Sequence, residues 1–69
     1  MFRDGNEEIL TNGCFVISNE DGMIYKYFEL NSVAYIICVD NNTLPIPVES
    51  IADDNELLDF EIITLESVE

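Results

Sequence analysis

Three short runs of β-forming residues, Gly13 to Ser18, Met23 to Leu30 and Val33 to Val39, are each closed by a cluster of turn residues, and this punctuation restricts the fold more than anything else in the chain. Asn19-Glu20-Asp21-Gly22 separates the first two runs, Asn31-Ser32 the next two, and Asp40-Asn41-Asn42-Thr43 ends the third. Gaps this short join antiparallel neighbours, so the pattern predicts a three-stranded meander. Side chains alternate faces along a strand. In the second run Ile24, Lys26, Phe28 and Leu30 therefore point one way and Met23, Tyr25, Tyr27 and Glu29 the other, and neither set is cleanly polar. The unbroken apolar run Val33 to Val39 reads as a central strand covered on both faces.

After Thr43 the prolines of Leu44-Pro45-Ile46-Pro47-Val48 remove two ladder donors, which marks an edge strand or an extended lead-in. Two continuations follow. In one, Pro47 opens a helix with Val48, Ile51 and Ala52 on its apolar stripe. In the other, Asp53-Asp54-Asn55 is too poor a helix interior, and a strand gives way to a helical turn. Both end in a last strand over Phe60 to Leu65. The expected fold is thus β-rich, all-β or α+β: a small antiparallel meander or SH3-like barrel of 4–5 strands, with a short helix or helical turn around 48–58. The stretch from Tyr35 to Ile51 resembles the strand, tight turn and strand of SH3-like modules, a resemblance that bears on fold and not on ligand.

A chain of 69 residues makes a single small domain, 1–69, with 1–10 as a candidate flexible lead-in. At this size only about 60% of the unfolded surface is buried, so a homodimer would add stability. The hydrophobic content of 48% places the chain among folded proteins. Met1 to Leu10 lacks the apolar centre of a signal peptide and no window approaches a membrane span, which predicts a cytoplasmic protein. Cys14 and Cys38 lie within apolar runs, as reduced and buried thiols do. Without histidine or a C-x-x-C pair, the sequence offers no zinc site and no activated cysteine nucleophile, and it implies no cofactor.

Charge is what points outward to partners. Fifteen Asp and Glu stand against two Lys and Arg, for a net charge of -13. Arg3 and Lys26 can neutralise at most two of these carboxylates, and burying the others unpaired costs several kcal/mol each, so most must meet water or a basic partner. Direct nucleic-acid binding needs Lys and Arg against the phosphates and is excluded. The chain is itself similar, in size, charge and lack of catalytic residues, to small acidic phage-type inhibitors of restriction, CRISPR, repair or transcription proteins. That likeness implies a non-enzymatic inhibitor that occupies the groove of a basic nucleic-acid-binding protein by mimicking DNA or RNA phosphates. Two alternatives are an immunity-type or assembly protein that neutralises a basic partner without such mimicry, and a homodimeric module with a solvating acidic face.

The candidate partner-binding residues are Glu49, Asp53, Asp54, Glu56, Asp59 and Glu61, with Tyr25, Tyr27 and Glu29 as an exposed patch on one strand face. On a helix, Glu49, Asp53 and Glu56 would form a single row at i, i+4 and i+7; on a loop the acids would still gather at one end. Asp40-Asn41-Asn42 starts like a calcium loop but lacks the glycine and distal glutamate of one, and a turn accounts for it.

Overall fold

In the computed structural model, which describes residues 1–40 and 43–63, five strands form one antiparallel sheet: β1 (Phe15–Ser18), β2 (Ile24–Leu30), β3 (Val33–Cys38), β4 (Ile46–Pro47) and β5 (Phe60–Ile63). Their spatial order is β4-β3-β2-β1-β5, so the chain runs as a meander and its last strand returns beside the first. This is the β-rich fold the punctuation predicts. Among the described residues no ladder joins β4 to β5, and the sheet stays open along that side. No helix of the described residues is long and apolar enough to cross a membrane.

The turns behave as their residues dictate. Gly22, at φ 73°, closes the β1–β2 turn, and its N–H donates to the Ser18 carbonyl. Asn31 and Ser32 make a two-residue β2–β3 turn with φ of 52° and 67°, the double positive φ of a type I′ hairpin. After β4 a 3-10 turn, Val48–Ser50, buries Val48. Of the two continuations after Pro47 the helix over 47–58 does not form, and neither does the single-faced row of Glu49, Asp53 and Glu56 that it would carry. Asp53 Oδ1 instead accepts the backbone N–H groups of Asn55 and Leu57, a local bond that competes with helix, and Glu56 sits at φ 63°. Strand and helical turn is the outcome.

Register decides which face is inside. Opposed residues share a face, so the pairs Val16 with Tyr25, Tyr27 with Ile36 and Val16 with Ile62 define the inner one. Leu10, Val48 and Leu58 close over it to complete a core with Val16, Tyr27 and Ile36. The outer face has three main rows: Ile63, Phe15, Lys26 and Ile37; Glu61, Ile17 and Ile24; Phe28, Tyr35 and Pro47. β3 is therefore buried on one face only. Ile36 and Cys38 point inward, but Tyr35 and Ile37 are half-buried and Val33 is exposed, because no second layer of described residues covers that face.

Residues 1–10, the candidate flexible lead-in, are bonded to the body at several points. Arg3 bridges both Ile9 and Leu57, and Leu10 enters the core. Gly5 N–H donates to the Phe60 carbonyl, while Ile62 N–H donates to Asp4 Oδ2, so this segment covers the open edge of β5. Among the described residues Asp4 is the buried acid, with its other oxygen accepting the N–H groups of Asn6 and Glu8. Cys14 and Cys38 are free thiols, Cys38 buried and Cys14 half-buried. The calcium-like turn at Asn41 and Asn42 and the continuation of the last strand to Leu65 lie outside the described residues.

Candidate functional site

The sheet curls its inner face toward the 3-10 turn, and at the β1–β2 hairpin end the core leaves a cleft of about 320 Å³. Tyr25 of β2 and Phe60 of β5 form its aromatic wall, edge to face with ring centroids 5.4 Å apart at 83°. Ile46 of β4 and Ile51 after the 3-10 turn stand opposite, and Glu20, Asp21 and Asp59 rim the opening. Each acid is placed by local bonding. Asp21 Oδ1 accepts the Met23 N–H, which holds it at the hairpin turn. Asp59 Oδ1 accepts from the Asn19 side-chain amide, tying the start of β5 to that turn. Ser18 Oγ accepts the Glu20 N–H.

The carboxylates reach the aromatic wall electrostatically. Burial first, and then the negative charge of Asp21, with smaller contributions from the Cys38 thiol and last from Glu20, holds the Tyr25 hydroxyl above its ordinary range. An apolar slot with three acids at its mouth suits a Lys or Arg side chain whose stem packs on the rings while its head stays at the rim.

The expected constellation is divided by the fold. Of its members, Tyr25 and Asp59 belong to this cleft. Glu49 lies near the other end of β2, beside Phe2, Ser32 and Val33. Glu56 is there too, its Oε1 2.6 Å from the Met1 ammonium, and Met1 lies beside Glu29. β2 spans seven residues, so at about 3.3 Å per residue the two acidic groups lie roughly 20 Å apart. Asp53 is occupied with its own loop, Asp54 is exposed near it, and Glu61 faces outward opposite Ile17. The described C-terminal acids do not gather at one end.

Tyr27 requires the clearest correction. It is 2% exposed and belongs to the core rather than to an exposed patch. Its hydroxyl donates to Glu29 Oε2 at 3.1 Å, and burial together with that bond pushes its pKa up to about 12. Sequence reasoning misses Glu20 and Asp21, which it reads as turn residues, and Phe60, which it reads as strand. The run Glu20-Asp21-Gly22 is the available signal, because it sets two acids in the turn that leads into the strand of Tyr25.

No family model, curated protein or solved structure matches the chain.

Proposed function

We propose that this protein is a small, non-enzymatic, cytoplasmic inhibitor that binds a basic nucleic-acid-binding protein, its carboxylates taking the place of phosphates. The observation that carries this reading is the lack of internal neutralisation. Among the described residues the one ion pair is that of the Met1 ammonium with Glu56, and it is exposed on both sides. The other surface carboxylates are left to repel one another, a cost that a basic surface relieves. Such a surface also raises the rate of encounter with a positive groove. The cleft adds register. A Lys or Arg of the target enters between the Tyr25–Phe60 wall and Ile46 with Ile51, with Glu20, Asp21 and Asp59 around its head.

One observation favours a second reading, an immunity-type or assembly protein that neutralises a basic partner without mimicry. The acids fall into two groups at opposite ends of β2 instead of one continuous row, and a single slot for a basic side chain needs no duplex-like spacing.

A pull-down of the tagged chain from bacterial lysate, with and without excess duplex DNA, separates the two. Mimicry requires that DNA displace the captured basic protein; a partner retained in the presence of DNA establishes the second reading. Reversal of Glu20, Asp21 and Asp59 to Lys should abolish capture by either route, with circular dichroism showing that loss of the two exposed bonds of Asp21 and Asp59 leaves the sheet in place. Capture that survives this triple reversal removes the cleft from the site.

A further inference from the structure

The outer face of the sheet is apolar and carries almost none of the acids of the chain. Leu30 is 58% exposed and Val33 42%, while Phe28 and Tyr35 stack at 5.6 Å beside them. Thirteen carboxylates lie among the described residues, yet the outward positions of the five strands carry only two charges of either sign, Lys26 on β2 and Glu61 on β5. Lys26 lies over the Phe15 ring, 5.8 Å from its centroid, and makes no ion pair with a described carboxylate. In a protein of net charge -13, this face is neutral.

We propose that two copies of the chain meet here, sheet face on sheet face about a two-fold axis, with Lys26 of each facing Glu61 of the partner subunit. Charge selects the occupant. A basic protein gains nothing from a face of zero net charge and is drawn to the acidic ends instead, whereas one cation and one anion on adjacent cross-strand rows complement a rotated copy of themselves. The like charges that would oppose self-association stand around the perimeter, where salt screens them beyond about 8–10 Å. Area is sufficient as well. Strands of 4, 7, 6, 2 and 4 residues, at about 3.3 Å per residue and 4.8 Å between strands, offer about 360 Å² of projected sheet per copy, and side-chain relief brings the pair toward roughly 1,000 Å² in total, the lower bound of a specific interface. Aligned sheets of this kind pack about 10 Å apart with their inner side chains interdigitated. The pairing would give β3 the second covered face that its continuous apolar sequence predicts.

Sedimentation equilibrium of the full chain at about 100 μM tests this, a concentration that populates any dimer with a Kd below about 10 μM. The expected species has twice the 7.9 kDa of the chain. Lys26→Glu, which sets like charges against each other, should weaken the dimer at least tenfold, and the double exchange Lys26→Glu with Glu61→Lys should restore it. Leu30→Glu provides a variant at a position already exposed in one copy, so it should fold normally by circular dichroism and sediment as a monomer. A monomeric wild type overturns the proposal. So does a dimer indifferent to both Lys26→Glu and Leu30→Glu, which would place the contact elsewhere.

Discussion

Asp4 is where the fold is most vulnerable to a single substitution. Its side chain is buried at 1% exposure and accepts three backbone N–H groups: Asn6 and Glu8 at 2.9 Å on Oδ1, and Ile62 at 3.1 Å on Oδ2. Asp4→Ala removes all three acceptors. A hydrogen bond to a charged group contributes about 1.5–3 kcal/mol, but the three donors are only partly buried and water can reach some of them, so the sum is closer to about 3 kcal/mol. Marginal stability of about 0.05–0.15 kcal/mol per residue gives a chain of this length roughly 3.5–10 kcal/mol in all. The variant should therefore lose a third or more of its stability, lowering Tm by about 12–24 °C and the urea midpoint by about 3 M for a slope near 1 kcal/mol/M. Asp53→Ala is the control. Asp53 also accepts two loop N–H groups through one oxygen, but at an exposed site where water replaces it, and its loss should cost less than about 1 kcal/mol. Equal urea midpoints for the two variants would refute the claim that burial, and not bond count, sets the cost.

Three further outcomes can be checked by the same denaturation assay. Ser32→Gly, at a position with φ of 67° in a type I′ turn, should stabilise the β2–β3 hairpin by about 0.5–1 kcal/mol, and an unchanged or lower midpoint would contradict that turn geometry. Tyr27 gives a signed alkaline effect: the unfolded phenol loses its proton near pH 10 and the folded one near about 12, so across that interval the folded state binds more protons and stability falls as pH rises. Below pH 10 this contribution is fully present, and Tyr27→Phe should flatten the decline between pH 10 and 12; a decline of equal steepness in the variant assigns it to other groups. Glu56→Gln breaks an ion pair whose side chains are 70% and 52% exposed and should shift stability by less than about 0.5 kcal/mol, where a larger loss would mean that the Met1 contact anchors the amino-terminal segment.

The strands were legible because their ends are written in turn chemistry. Asn19 to Gly22 and Asn31-Ser32 bound β1, β2 and β3 within a residue or two, and the two prolines kept β4 to two residues at the sheet edge. The segment after Pro47 was ambiguous because its apolar spacing fits a helix while Asp53, Asp54 and Asn55 favour local bonding. The side-chain bonds of Asp53 decided it. The candidate site was legible only in part. Asp59 and Tyr25 meet in the cleft, but Glu49 and Glu56 are carried to the far end by the 3-10 turn and the loop that follows it. Distances along an irregular loop have no period, so a run of acids in sequence does not determine which of them will share a surface.

β2 holds the most instructive ambiguity, because both of its faces are apolar. Lys26 interrupts one and Glu29 the other, and hydropathy alone cannot rank them. The choice is made by the partners across the ladder. Val16, Ile36 and Ile62 face the Tyr25–Tyr27 side and are themselves covered by Leu10, Val48 and Leu58, which the loops deliver to that side alone. A tyrosine can accept such a place because its hydroxyl still reaches an exposed carboxylate, here Glu29 at the end of the strand. A lysine at the centre of the strand has no comparable exit, since its ammonium would have to cross the core layer, so Lys26 fixes the other face outward. Phe15, Phe28, Tyr35 and Ile37 follow it because alternation leaves them no option. A sequence selected only for solubility would have made those outward positions polar. That they are apolar, in a chain otherwise saturated with carboxylates, is the physical reason the sheet face and the acidic ends are proposed as two separate surfaces.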